Sequence, residues 1–338
     1  MRRVGRLLAL ATALPFVAGM AAAGAAPAGR VELTFADPEI VESSGLTADA
    51  GLVHTVNDSG DTGRVFSVDR ATGRTVGVTT WADDPADVEA LAPGPDAGQV
   101  WVADIGDNAQ ERASVEVALV PVGEGDRDVR GEVATYELTY PDGARDAETL
   151  LLEPTTGRLV VVTKEVFGGD VLVAPARLDP DRPNRLRSVG TATSIATDGA
   201  FYPDGRHLLV RGYGSAVAYS WPDLDVVGRF DLPEQQQGEG LAVDQDGVVL
   251  VSTEGARSDV LRVRPPGAVA RAVATPVEPT ATATATTPAD EESPRPPVPE
   301  DDPSVVDLSE QGNRSFLIGL GFALVMLVLL VRSLRPRG

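Results

Sequence analysis

Apolar residues in most of this chain come in short alternating or continuous runs, separated by Gly, Pro, Asn and Asp. The stretch from Asp87 to Arg112 sets the unit. It holds Asp87 and Glu89, a short apolar run, a turn over Pro93 to Gly98, the run Val100-Trp101-Val102, and then Asp104, Asp107 and Asn108. Two such runs around a Pro/Gly turn predict an antiparallel hairpin. With Glu89 beginning the first strand and Asp104 ending the second, both carboxylates stand at the rim opposite the turn.

The layout recurs. A fifteen-residue spacing from an acidic start pairs Glu42 with Asn57, Glu89 with Asp104, Glu148 with Thr163, Asp198 with Tyr213 and Glu239 with Glu254. Each pair encloses a turn, from Asp49-Ala50-Gly51 to Asp246-Gly247, followed by an apolar run such as Leu159 to Val162. Successive starts lie 47, 59, 50 and 41 residues apart, the period of four-stranded propeller blades rather than of helical repeats. The reading is an all-β propeller over residues 30–266 with five blades counted, a sixth being open. The fifth blade meets Pro265-Pro266 one strand short, and the alternating segment Arg30 to Ala36 is the strand available to complete it. That pairing would close the ring and remove an open sheet edge.

The ends of the chain read differently. Residues 1–28 carry Arg2, Arg3 and Arg6, an apolar run from Leu7 to Ala18 and small residues after it, the layout of a secretory signal peptide. Residues 267–312 turn to Pro, Thr, Ala and acid, with almost no large apolar side chain to bury, and read as a disordered stalk. Residues 313–333 contain the continuous apolar run Phe316 to Val331 between Arg314 and Arg332, expected to span a membrane. The basic tail 334–338 follows. Positive-inside logic places it in the cytoplasm and the propeller outside, giving a single-pass type I protein of the cell membrane, with the membrane as one partner and an extracellular ligand or protein as the other.

Composition narrows the chemistry. With 35 Gly and 26 Pro in 338 residues the chain favours turns over long helices. A formal net charge of −21 repels phosphate and excludes a nucleic-acid partner. There is no Cys, so no thiol chemistry or disulfide is available, and the two histidines, His54 and His207, leave few ways to build a catalytic triad. Trp101 and Trp221 read as core residues.

If the first strand of each blade lines the channel, Glu42, Glu89, Glu148, Asp198 and Glu239 form a ring of carboxylates around one opening. Like charges so placed need a cation, arginines or protons to offset them. Hard oxygen donors suggest Ca²⁺ or Mg²⁺. Asp104, Asp107, Asn108 and Glu254, with the loop Asn57 to Asp61, would add ligands. The alternative is plain turn chemistry, since Asn, Asp and Gly are what tight turns use.

The segments Asp87-Val88-Glu89-Ala90-Leu91, Asp146-Ala147-Glu148-Thr149-Leu150 and Gly238-Glu239-Gly240-Leu241-Ala242 resemble the D-x-E-G-L blade openings of β-propeller phytases and of phytase-like or esterase-like secreted bacterial propellers. The resemblance covers the propeller alone. It implies Ca²⁺ on Glu89, Glu148 and Glu239, and it implies Lys164, Arg211 and Tyr213 as the groups that would meet a phosphate. The residues support two classes of function. One is a surface ectodomain that binds a ligand or partner, with Ca²⁺ at its acidic rim. The other is a metal-dependent hydrolase, a phosphoesterase before a glycosidase. The thin cationic set and the lack of a nucleophile motif favour the first.

Overall fold

The computed structural model describes residues 29–274 apart from 50 and 59. The segments read above as signal peptide, membrane span and tail, with most of the stalk, lie outside the described residues. Among the described residues no helix is long and apolar enough to cross a membrane.

Five sheets arise from the five hairpin repeats, antiparallel except where a short outer strand joins each of blades 1 and 2 in parallel. Strand β1 (Arg30–Thr34) comes first in the chain but belongs to the last sheet. Blade 1 is β2 (Ser43–Ala48), β3 (Leu52–Asn57), β4 (Gly63–Asp69) and β5 (Thr75–Ala82). Blade 2 begins with β6 (Val88–Pro93), β7 (Gln99–Asp104) and β8 (Val115–Pro121). The chain then lends β9 (Arg127–Asp128) to blade 1, parallel to β5, before β10 (Thr135–Thr139) completes blade 2. Blade 3 is β11 (Ala147–Leu152), β12 (Leu159–Thr163) and β13 (Asp170–Val173). Its chain lends β14 (Asn184–Arg185) to β10 of blade 2 and returns as β15 (Arg187–Thr191). Blade 4 is β16 (Asp198–Phe201), β17 (His207–Arg211), β18 (Ser215–Ser220) and β19 (Val226–Asp231). Blade 5 is β20 (Gly238–Val243), β21 (Val249–Thr253) and β22 (Asp259–Val263), with β1 antiparallel on β22 from Arg30↔Arg262 to Thr34↔Asp259.

The architecture is an all-β, five-bladed propeller. The innermost strands are β2, β6, β11, β16 and β20. The second strand of each blade is almost wholly buried because both of its faces meet a neighbouring blade. Packing follows from this: Val56 and Val102 lie in a core between blades 1 and 2, Trp101 and Val161 between 2 and 3, Val160 and Phe201 between 3 and 4, Leu209 and Val251 between 4 and 5, and Phe66 and Leu250 between 5 and 1. Trp101 is buried in its core and Trp221 packs against the blade 3–4 core, edge-on to Phe201.

One stretch differs from the sequence reading. Residues 267–274, which composition assigns to the stalk, form helix α1 (Gly267–Ala274), and its Val269 is buried in the core between blades 4 and 5. Small apolar residues in a low-complexity context can still bury one anchor, so the packed chain runs past Pro266.

Candidate functional site at the channel mouth

The inner strands place their first residues at one end of the channel and their turns at the other. At the turn end the acids are consumed locally. Asp49 accepts the amides of Gly51 and Leu52, Glu153 those of Thr155 and Thr156, Asp204 those of Arg206 and His207, and Asp244 those of Asp246 and Val248. For the three aspartates this is Asx-type turn chemistry, and Glu153 does the same with a longer side chain. A cavity of about 460 Å³ opens here, walled largely by apolar residues such as Leu46, Leu91, Leu152, Phe201 and Val243. It has room for a ligand but few groups that could act on one.

The opposite end, the mouth, holds the titratable cluster. Its geometry comes from a recurrent irregularity. In β6 Val88 pairs with Asp104 and Ala90 with Ala103, so Glu89 is an extra, unpaired residue; in β11 Ala147 pairs with Thr163 and Thr149 with Val162, so Glu148 is likewise extra. In β20 the register also breaks between Gly238 and Leu241, around Glu239. These β-bulges put each glutamate out of the ladder and re-aim it. The expected partners are therefore displaced: Asp104 faces Val88 and Thr163 faces Ala147, each one residue before the glutamate, while in blade 5 the fifteen-residue pair is Gly238 and Thr253 rather than Glu239 and Glu254. In blade 4 the β16–β17 pair has no bulge, and Asp198 pairs with Arg211, not with Tyr213.

The result is not a ring of five carboxylates. In blade 1 the bulge position is taken by Ser44, whose hydroxyl donates to the Glu89 carboxylate at 3.2 Å and to its carbonyl at 2.8 Å. Glu42 lies outside β2, half-exposed, with its amide on Asn57 Oδ1 at 3.2 Å. Asp198 is wholly buried and accepts the amides of Gly199 at 2.8 Å and Leu241 at 2.6 Å. What converges instead is Asp58, Asp87 and Glu89, which each offer a carboxylate oxygen within 4.8 Å of the others. Asp58 comes from the loop after β3 and Asp87 from the residue before β6. Gly106 adjoins them: a Cβ there would come closer than 3.0 Å to oxygens of Asp87 and Glu89.

Beside this triad, Glu148 is bonded by the Lys164 ammonium, which also lies 5.7 Å from the centre of the Tyr213 ring. Gln237 Nε2 donates to Glu239 at 3.1 Å and to Glu254 at 2.5 Å. Asp104, Asp107 and Asn108 do not join the triad. Asp104 accepts the amides of Ala86 and Asp87 and pairs with Arg112 at 2.7 Å; Asp107 caps the amides of Glu111 and Arg112; Asn108 is exposed. Arg211 is fully buried, with its guanidinium on the carbonyls of Gly212, Tyr213, Gly240 and Ser252, so it ties blades 4 and 5 together rather than facing solvent.

Electrostatics follow from burial and crowding. Burial, then Glu148, Asp58, Asp87 and Glu239, push Glu89 up to about 10. Burial, then Asp58, Asp146 and Asp104, push Asp87 up to about 6, with Arg112 opposing. Burial raises Glu148 to about 8 against the Lys164 ammonium, and burial with Glu239 raises Glu254 to about 7. For Lys164, burial is outweighed by the bond to Glu148, which holds it protonated. Burial and like charge together therefore disfavour the ionised forms of these carboxyl groups.

Neither a protein-family model nor a curated protein matches this chain. Among solved structures it is similar to Kuenenia stuttgartiensis hydrazine synthase, at 16% identity and a TM-score of 0.37 over 64% of this chain and 57% of that one. It is also similar to Chaetomium thermophilum Sqt1 bound to the N-terminus of the ribosomal protein L10, at 15% identity and a TM-score of 0.36 over 66% and 58%. The chain thus spans less than two thirds of either, and at this level the likeness carries nothing about activity.

Sequence reasoning missed Asp87 and gave Asp58 only as part of a loop. The D-x-E spacing was the available signal, because residues two apart share a strand face. A spatial Ser67–His54–Asp49 arrangement was also missed: Ser67 Oγ lies 3.0 Å from His54 Nδ1, and His54 Nε2 lies 3.5 Å from Asp49. It is structural, since Ser67 is completely buried and its hydroxyl accepts the Gly123 amide at 3.0 Å.

Proposed function

We propose that this protein is a membrane-anchored, cell-surface propeller that binds a hard divalent cation, Ca²⁺, at the mouth of its channel and holds an extracellular ligand there. One observation carries the reading: Asp58, Asp87 and Glu89 bring carboxylate oxygens within 4.8 Å of one another at a place where burial makes the ionisation of Asp87 and Glu89 costly. The donor set fits the ion. It is all carboxylate oxygen, the preference of Ca²⁺, and His54 and His207 are engaged elsewhere with Asp49, Ser67 and Asp204. A bound cation would supply positive charge to the three carboxylates and replace the proton that Glu89 otherwise holds. Glu239 and Glu254 border the same opening. Export, anchoring by residues 313–333 and closure of the ring by β1 belong to the same proposal; the β1–β22 register and the core shared by blades 5 and 1 support the closure.

The test is calorimetry with CaCl₂ on protein stripped with EDTA, for the parent and for Glu89→Gln. Binding heat with the parent that is lost or much reduced in the variant is the expected result. Equal heats, or none with the parent, would remove the cation from the reading. A hydrolase reading draws on Lys164 and Tyr213 beside Glu148. It predicts Ca²⁺-dependent turnover of phosphate esters or glycosides, and a panel of both that shows no turnover removes it.

A further inference from the structure

Four large apolar side chains stand exposed together on blades 3 and 4. Relative exposure is 101% for Phe167, 68% for Val166, 41% for Tyr213 and 37% for Ile195. Val166 and Phe167 sit on the turn between β12 and β13, Ile195 between β15 and β16, and Tyr213 between β17 and β18. The three loops touch. The Ile195 amide donates to the Glu165 carbonyl at 2.8 Å, and a Cβ on Gly212 would press within 2.8 Å of the Ile195 carbonyl oxygen. Lys164, the residue before Glu165, reaches both the Tyr213 ring and Glu148, so the patch is the lip of the acidic mouth.

Single exposed apolar residues are ordinary, but a contiguous group with a fully exposed Phe marks an interaction surface. The backbone adds a second sign. Ile195 has φ of 50°, a left-handed conformation that β-branched residues rarely adopt and that costs backbone strain.

We propose that this lip and the mouth together bind a peptide segment of a partner protein that alternates apolar and basic side chains. Its apolar residue packs on Phe167 and Tyr213, and its Lys or Arg meets Glu239 and Glu254. Charge complementarity selects this occupant. Glu89, Glu148, Glu239 and Glu254, with Asp58 and Asp87, border the opening, while Lys164 is already engaged with Glu148 and Arg112 with Asp104. A divalent ion on Asp58, Asp87 and Glu89 would leave Glu239 and Glu254 with neutral Gln237 as their shared partner. Glu239 adjoins the lip, for its charge acts on both Tyr213 and Lys164, and Glu254 is tied to it through Gln237. An anionic lipid surface, or a second copy of a chain with net charge −21, is repelled by the same field. The proposal rests on the mouth being a binding site, but not on the metal.

The test uses the full-length chain in non-ionic detergent. The probe is an amidated hexapeptide alternating leucine and arginine, titrated by calorimetry beside its arginine-to-citrulline and leucine-to-glycine counterparts, with Ca²⁺ and with EDTA. Only the first should bind. Phe167→Ala should weaken it roughly tenfold to a hundredfold, the loss of one aromatic side chain's burial, and this change buries or exposes no core. Glu239→Gln with Glu254→Gln should reduce it to the level of the citrulline peptide, and raising salt from about 50 mM to about 500 mM should weaken the parent. Equal binding of all three peptides, no binding at millimolar concentration, or parent-like binding by both variants would overturn the proposal. Phe167-dependent retention on phosphatidylglycerol vesicles, or Phe167-dependent self-association, would overturn it too. Absence of calcium heat with peptide binding intact would sink the metal reading and leave this one standing.

Discussion

Replacing Glu89 by Gln probes the mouth at its most confined carboxylate. Glu89 is 3% exposed and accepts a hydroxyl bond from Ser44 at 3.2 Å. Burial first, and acidic neighbours second, move its carboxyl from an ordinary 4.5 to about 10. Without a cation the folded protein keeps a proton that the unfolded chain releases. The folded value is the higher one, so this contribution to stability is complete below pH 4.5 and is lost as pH rises toward 10. Between pH 4.5 and about 7 the loss is about 3 kcal/mol at most, because neighbouring acids share the same protons. Gln keeps the size and is neutral throughout. In EDTA at neutral pH, Glu89→Gln should therefore be the more stable protein, by up to about 3 kcal/mol, on the order of 6 to 12 °C in Tm for a domain of this size. With Ca²⁺ at about a hundred times its Kd the parent gains about 2.7 kcal/mol by mass action and the order narrows or reverses. The assay is urea denaturation from pH 5 to pH 8, in EDTA and in Ca²⁺, on both proteins. A parent whose stability in EDTA is flat across that range, or a variant less stable than the parent in EDTA, would refute the reasoning.

Arg211→Leu removes the favourable charge beside buried Asp198 and leaves four backbone carbonyls without their guanidinium donor, so urea denaturation should show a loss of about 3 to 5 kcal/mol. Adding Asp198→Asn should recover part of it, and strictly additive losses would show that the two do not couple. Deleting Arg30 to Ala36 removes the partner of β22 and exposes its edge, which should cause aggregation or a marked fall in Tm; a truncated chain that melts like the parent would rule out closure by this strand. Protease added to intact cells should release a soluble propeller fragment, and recovery of that fragment only after lysis would refute the proposed topology.

The blade count, the inner strands and the turns were legible in the sequence because each rests on local chemistry. Hydrophobic runs of strand length, Asp-Gly and Pro-Asp-Gly turns and their spacing need no knowledge of the neighbours. The site was half legible. Glu89, Glu148 and Glu239 announce themselves at blade openings, but a bulge shifts each out of its expected pairing, and a one-residue shift decides which way a strand side chain points. Which acids meet was decided only by the ring. Asp58 lies 31 residues from Glu89 in the chain and reaches it across a blade boundary. Asp198, equivalent in sequence to Glu148, is turned to the Leu241 amide because the inner strand of blade 4 has no bulge against β17. Arg211, a surface cation by its motif, is wholly buried because the carbonyls of Gly240 and Ser252 in the next blade surround it. Local patterning determines that strands and turns form, whereas the direction and neighbours of a charged side chain are settled by packing between blades, where long-range burial and charge pairing outweigh any local preference.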